Sequence, residues 1–316
     1  MKRRQFVKAA MAGGVLMGLS VGGACSKAAN GPRVVERTSP SRALVVWYSQ
    51  TGHTARIGRI VADEWRKAGL HVDAADYRAV DIASVGGYDM IALGTPVFYM
   101  EVPENFRKWV ESLPSLTGVP VASFVTFGGH GDGQRRTSGT LLDMMAARGA
   151  APVGVGMFGN MSTFAPTWST GNSARTLKYR HLPNAETFAA ARDFAAGTLL
   201  NARAGRVVVI DSGSGFDVIM GALPQVAFTK LAMSGHHIDP VECIACGECV
   251  RKCPTGAVPK SPGKVDSDRC IACMGCVNNC PTGAMRLDFA GKPLYGFNNF
   301  LRRNAIRIAE PELDQR

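Results

Sequence analysis

Eight of the nine cysteines fall in two matched runs, Cys243, Cys246, Cys249 and Cys253-Pro254, then Cys270, Cys273, Cys276 and Cys280-Pro281. Both read C-x2-C-x2-C-x3-C-P, a spacing that lets three thiolates on a tight loop reach three corners of one iron-sulfur cube. Cys-Ile-Ala-Cys recurs at 243 and 270, and Cys-Pro-Thr-Gly-Ala at 253 and 280, so the stretch is an internal repeat. Each Pro lacks a backbone donor and turns the chain away, and Gly256 and Gly283 permit the tight turn that follows. Ile244, Ile271, Val250 and Val277 are the apolar residues expected to shield the metal. Zinc, which prefers two separated ligand pairs, and disulfides are the plainer alternatives, and both fit two matched quartets poorly.

A second chemical signal lies far upstream, where Ser49-Gln50-Thr51-Gly52-His53-Thr54 joins an apolar run to a helical pattern. Free backbone N–H groups at a helix start, the helix dipole and Ser and Thr donors make such a loop a phosphate cradle. It contains no Lys, and G-x4-G-K-[ST] is absent, which points to a monophosphate rather than a nucleoside triphosphate.

These residues need elements to hold them. The unbroken apolar run Ala43 to Tyr48 fits a buried parallel strand, and Ile57, Ile60, Val61 and Trp65 share one face of a helix that Gly69 ends. Strands are expected at Leu70 to Ala75, Met90 to Leu93, Val119 to Thr126 and Pro152 to Phe158, and helices near 103 to 112, 136 to 148 and 184 to 202. That alternation is an α/β doubly wound parallel five-stranded sheet. Two later loops, Gly94-Thr95-Pro96-Val97-Phe98-Tyr99 and Phe127-Gly128-Gly129-His130-Gly131-Asp132-Gly133, follow the third and fourth strands. Their glycines allow close backbone approach to a flat ligand, and Phe98 or Tyr99 offers a stacking face. The aromatic pair reads equally well as rim packing, and His53 and His130 as solvated loop residues. Residues 160 to 183 exceed a bare connector and are expected to cover the ligand's edge or to contact the second domain.

On these residues the chain resembles two families. Ser49, Thr51, Gly52 and Thr54 match the flavodoxin signature S/T-x-T-G-x-T, while Trp47 and Gly58 stand where the longer pattern has Phe or Tyr and Ala. This resemblance, over about residues 42 to 203, implies a flavodoxin-like strand order 2-1-3-4-5 with FMN at the carboxyl ends of strands one, three and four. It makes Ser49, Gln50, Thr51, Gly52, His53, Thr54, Thr95, Pro96, Phe98, Tyr99, Gly128 and Gly129 the expected flavin contacts. Residues 236 to 288 resemble the small α+β fold of bacterial two-cluster ferredoxins, in which the Cys before Pro serves the other cluster. One [4Fe-4S] centre is then implied on Cys243, Cys246, Cys249 and Cys280, and a second on Cys270, Cys273, Cys276 and Cys253. Residues 204 to 235 read as a connecting segment, with a short strand Val207 to Ile210 and an apolar helix-like stretch Phe216 to Met233. His236 and His237 read as exposed linker residues.

At the start, Lys2-Arg3-Arg4-Gln5-Phe6-Val7-Lys8 and the weakly apolar run Ala9 to Ala24 resemble a twin-arginine export signal. Val21-Gly22-Gly23-Ala24-Cys25 resembles a lipoprotein cleavage box with Gly22 in place of the usual Leu. Membrane attachment through a lipidated Cys25 therefore stands beside ordinary cleavage. Residues 1 to 25 are read as leader and 26 to 41 as linker. Export already folded, as that route implies, would spare eight reduced thiols from random pairing in a periplasmic or other extracytoplasmic compartment. The formal charge of +11 would suggest nucleic acid, but Lys2, Arg3, Arg4 and Lys8 belong to the leader. About −2 for each oxidised cluster with its thiolates, and about −2 for a flavin phosphate, bring the loaded protein near neutrality. In the tail, 289 to 316, Tyr295, Phe297, Phe300, Leu301 and Ile306 accompany Arg302, Arg303 and Arg307, a pattern suited to an acidic partner, to lipid head groups or to docking on its own domain.

Together the resemblances imply an exported iron-sulfur flavoprotein passing electrons between two [4Fe-4S] clusters, FMN and a redox protein or small-molecule acceptor, with no nucleic-acid partner. The alternative is a flavin enzyme acting on a quinone or porphyrinogen, with the clusters as electron feed. A third reading leaves the flavodoxin-like half empty, as a docking module.

Overall fold

The computed structural model describes residues 34 to 129, 133 to 209 and 224 to 314. The expectations for the leader, Cys25, His130 and the start of the apolar stretch at Phe216 lie outside the described residues.

Alternate residues of β1 (Arg42–Trp47) serve opposite faces. Ala43 and Val45 enter one core with Ile57, Ile60, Val61 and Trp65 of α1 (His53–Lys67), and Leu44 and Val46 enter another with Phe106, Val110 and Leu141. A strand buried on both faces needs no polar alternation, which is why its sequence is continuously apolar. β2 (His71–Asp76) and β3 (Met90–Pro96) flank it in parallel. After α2 (Glu104–Glu111) come β4 (Pro120–Phe127), α3 (Gly133–Ala147) and β5 (Ala151–Gly159), which complete the parallel order 2-1-3-4-5. This is the flavodoxin-like sheet, with the five strands near their expected places.

Between β5 and α6 (Ala185–Arg203), the segment 160 to 183 forms two short helices, α4 (Pro166–Ser169) and α5 (Ser173–Leu177). Met161, Ala165 and Trp168 leave the sheet's cores and join a third one, with Ile238, Val277, Met285, Phe297 and Phe300. That third core belongs to the carboxyl-terminal module: α7 (Gln225–Ala232), β6 (Met233–Ile238), α8 (Glu248–Lys252), α9 (Gly275–Asn279), β7 (Met285–Phe289), β8 (Lys292–Pro293) and α10 (Phe297–Arg303). Its three strands pair antiparallel in the order β6-β7-β8.

Four expectations are corrected here. The helix of the apolar stretch stops at Ala232 and Met233 opens a strand, because Met233 and Ser234 pair with Phe289 and Asp288. His236 and His237 are therefore half-buried strand residues rather than exposed linker. Val207 to Val209 form no strand; Val208 N–H donates to the Pro152 carbonyl at 2.9 Å, and Val209 is 95% exposed beyond the sheet. Ile244 borders the first cysteine space but is 64% exposed, so it shields that space on one side only. The tail takes the last of its three expected courses: Phe297 and Phe300 are buried, Arg56 and Arg59 both pair with Glu310, and the Asp314 N–H donates to Asp63 Oδ1 at 3.2 Å.

Candidate cofactor sites

β1 delivers the loop Ser49 to Thr54 onto the start of α1. Gly52 holds φ +87°, and a Cβ on it would lie 2.9 Å from Arg56 Nη1, so the turn calls for glycine. A cleft opens at the carboxyl ends of β1, β3 and β4, walled by Ser49, Gln50, Thr51, His53, Thr54, Pro96, Phe98, Tyr99 and Gly128. Thr54 Oγ1 and Thr126 Oγ1, 2.8 Å apart, tie the loop to β4. A side chain at position 128 would meet the Ser162 backbone at 2.3 Å. Phe98 and Tyr99 stand edge to face at 5.6 Å, with Tyr99 at φ +48°, a left-handed conformation unusual for an aromatic residue.

Three expected contacts do not line the cleft. Thr95 is fully buried in β3 and its hydroxyl donates to the Pro96 carbonyl at 3.2 Å, because strand alternation turns it into the sheet's interior. Gly129 lies beyond the wall, and Gly52 shapes the turn without facing the space. Conversely, Asn160, Met161, Ser162, Thr163 and Phe164 form a whole side of the cleft. Their only signal in the sequence is the excess length of the segment they begin.

The cleft has the polar character a phosphorylated, flat ligand requires. His53 is 5% exposed and Asn160 2%; the two side chains lie beside each other, and neither ring nitrogen of His53 nor Asn160 Oδ1 makes a hydrogen bond of good geometry among the described residues. Buried groups left unpaired cost about 1–3 kcal/mol each, and these border a space where ligand atoms would pair them. Burial, with the nearby Arg56 charge, lowers His53 to about 3, so its ring is neutral and presents one donor and one acceptor.

The cysteines surround two further spaces. Cys243, Cys246, Cys249 and Cys280 line one, with Ile238 and Met285. Cys253, Cys270, Cys273 and Cys276 line the other, with Val258 and Met274. Each space takes three sulfurs from one run and the fourth from the other. All eight are free thiols. The repeat is carried into the backbone: Ala245 at φ +53° and Ala272 at φ +54° each turn an N–H onto the cysteine two residues earlier, both at 3.4 Å. Ala257 N–H likewise reaches Cys253 Sγ at 3.2 Å. Although burial raises Cys253, the N–H groups of Thr255, Val258 and Ala257 and the Thr255 hydroxyl leave it below the ordinary thiol value. Burial pushes Cys273 up to about 12 and Cys276 well above the usual range, so these thiols keep their protons until a cation takes them. Among the described residues no three His, Cys, Asp or Glu side chains converge on a single-ion site. Four thiols lining one space are the donor set that an iron-sulfur cluster takes. His236 Nε2 lies 3.3 Å from Cys276 Sγ, a contact sequence reading missed.

Cys273 lines both the second cysteine space and the strand-end cleft. Around it the two modules are joined by hydrogen bonds: Tyr99 Oη to the Ala272 carbonyl at 3.0 Å, Asn279 Nδ2 to the Gln50 carbonyl at 3.0 Å, Asn278 Nδ2 to the Thr163 carbonyl at 2.8 Å and Arg78 Nη1 to the Arg251 carbonyl at 2.8 Å.

Family models agree with this division: a flavodoxin domain matches residues 44–159 and a 4Fe-4S dicluster domain matches residues 236–281. The chain is a redox electron-transfer protein. No curated protein matches it. Among solved structures, a short-chain flavodoxin associated with a non-canonical PDU bacterial microcompartment is 18% identical over 51% of this chain and 99% of its own, with a TM-score of 0.41. A flavodoxin from Streptococcus pneumoniae TIGR4 is 20% identical over 51% and 99%, with a TM-score of 0.41. Oxidised flavodoxin 1 of Bacillus cereus is 18% identical over 51% and 98%, with a TM-score of 0.39. In this chain the loop Ser49 to Thr54 lies inside the stretch matched by the flavodoxin model, and all eight cysteines of the two runs lie inside the stretch matched by the dicluster model.

Proposed function

We propose that this chain is an exported iron-sulfur flavoprotein that carries electrons between an external partner, two [4Fe-4S] clusters and FMN. The observation that carries the reading is Cys273, which walls both a cysteine-lined space and the cleft of the flavodoxin domain. A cluster ligand in that wall leaves no protein layer between the two sites. When bound, the clusters supply one-electron carriers and the flavin a carrier of one or two.

The chain's residues divide the work. Ser49, Thr51, Thr54 and the N–H groups opening α1 hold the phosphate, and Phe98 and Tyr99 flank the ring. Cys253, Cys270, Cys273 and Cys276 hold the proximal cluster, and Cys243, Cys246, Cys249 and Cys280 the distal one. The N–H groups of Ala245, Ala257 and Ala272 reach ligand sulfurs and favour the reduced clusters. The hydrogen bonds between the domains hold the proximal ligand in place without domain motion. The distal site meets solvent: Cys246 is exposed and Val241 is 88% exposed, a face open to a redox partner. The Arg3-Arg4 pair and the weakly apolar run behind it support twin-arginine export to an extracytoplasmic compartment, with Cys25 offering a lipid anchor. Among the described residues no helix is long and apolar enough to cross a membrane.

Anaerobic purification with iron, sulfide and flavin analysis tests the reading. About eight iron and about eight sulfide per chain are expected with about one FMN, and both chromophores should bleach in one redox titration. Zinc in place of iron, or iron without flavin, would overturn it.

A second reading, a flavin enzyme acting on a small quinone-like oxidant, draws support from a neighbouring cavity of about 390 Å³ that shares Phe98 and Tyr99 with the cleft. Glu101, Arg107, Gln225, Lys230 and Ile271 line it. Turnover with soluble quinones that Lys230→Ala and Arg107→Ala slow, while flavin content holds, would favour the enzyme.

A further inference from the structure

Gln50 occupies a free position of the phosphate-loop signature, so holding a phosphate does not call for its side chain. That side chain is nonetheless buried, at 5% exposure, against the dicluster domain. Its Nε2 donates to Tyr48 Oη at 2.9 Å, which uses one of the two amide hydrogens. Gln50 Nε2 and Cys273 Sγ border one small space: the point where a Gly275 Cβ would sit is 3.1 Å from Gln50 Nε2 and 3.6 Å from Cys273 Sγ. Burial pushes the Cys273 thiol up, and a hydrogen bond from Gln50 is among the influences pulling it back. Asn279 Nδ2 clamps the same residue from behind, donating to the Gln50 carbonyl at 3.0 Å and to the Gly275 carbonyl at 2.7 Å.

We propose that Gln50 is a positioning residue that couples the flavin site to the proximal cluster, with its main chain in the phosphate loop and its amide N–H on the Cys273 sulfur. The inference rests on the reading that Cys253, Cys270, Cys273 and Cys276 hold a cluster. A donor on a ligand sulfur stabilises the more negative, reduced cluster, so the potential is higher with the bond than without it. Ordering the loop around a phosphate orders the donor as well. The coupling is reciprocal: FMN binding raises the proximal potential, and cluster reduction tightens FMN by the same free energy.

The test is a potentiometric titration followed by electron paramagnetic resonance on the whole protein, with FMN bound and with FMN removed. The signal that survives Cys246→Ala identifies the proximal cluster. In the wild type its midpoint should rise when FMN binds. Gln50→Leu, near in shape but without a donor, should lower that midpoint and abolish its dependence on FMN, leaving the distal midpoint unchanged. Gly275→Ala, whose methyl would enter the space that Gln50 Nε2 and Cys273 Sγ share, should lower it with Gln50 intact, and it serves alone if Gln50→Leu fails to fold. A proximal midpoint equal to wild type in the folded variants, with iron and flavin retained, overturns the coupling. A wild type showing no second cluster overturns instead the reading beneath it, and the coupling falls with it.

Discussion

Trp47 and Gly58 each depart from the longer flavodoxin pattern, and the structure makes the two departures one. A Cβ on Gly58 would lie 2.3 Å from Trp47 Cε3, so the larger indole occupies the room that the missing methyl leaves. Gly58→Ala should therefore destabilise the flavodoxin domain by about 1–3 kcal/mol, as overpacking does. Trp47→Phe in the same chain should recover most of that loss. Thermal unfolding of the two single variants and the double checks it, and strictly additive effects would contradict the coupling. His53 gives a second expectation at this scale. The unfolded chain takes up a proton near 6.5 that the folded chain resists until about 3. Its contribution to stability is thus complete above 6.5 and is lost as pH falls towards 3, by up to about 1.4 kcal/mol per pH unit. Between pH 7 and pH 5, His53→Gln in flavin-free protein should gain about 2 kcal/mol relative to wild type, read from paired thermal midpoints. A constant difference between the two proteins would mean that the ring reaches water.

Among the elements, the segment 160 to 183 binds the two domains together. Trp168 packs on Phe300 at 4.7 Å between centroids with the rings tilted by 34°, and its Nε1 donates to the Tyr295 carbonyl at 2.9 Å. Trp168→Ala should cost about 3–5 kcal/mol locally. It should speed proteolysis between the domains and slow electron exchange between cluster and flavin, while iron and flavin contents stay level. Stopped-flow spectra and a timed digest measure both, and unchanged exchange would show that the hydrogen bonds around Cys273 hold the domains by themselves. The length of the segment already suggested contact with the second domain, but not which residues make it, since Trp168 finds its partners more than a hundred residues away. Ala43 to Tyr48 and the cysteine runs were legible because burial on both faces and ligand spacing write themselves into consecutive residues. The stretch ending at Met233 misled because a short apolar run has no period that separates helix from strand; pairing with Phe289 decided it. For the same reason Gln50 and Cys273 could be named as a loop residue and a ligand, but not as neighbours.

At the scale of the whole molecule the two cysteine spaces are unequal. The one with Cys273 lies within the carboxyl-terminal module and adjoins the cleft through Cys273, and Cys276 in it is buried, whereas the other presents Cys246 and Ile244 to solvent. Under the proposed function, an electron arriving from a protein too large to enter the cleft would meet the distal site first, then the proximal one, then the flavin. On the same proposal, with the leader removed and the bound cofactors bringing the protein near neutrality, long-range charge would add little to that encounter, and the exposed apolar pair Val241 and Ile244 would supply the contact. Cys246→Ala separates this order from its alternative. It should lower the iron content from about eight to about four while flavin is retained. Reduction of the flavin by a protein donor should then slow by orders of magnitude, while a small one-electron reductant able to enter the cleft should act at nearly the wild-type rate. A protein donor that still reduced the flavin of Cys246→Ala at full speed would mean that electrons enter at the cleft, leaving the distal cluster a side branch rather than the entry to the chain of carriers.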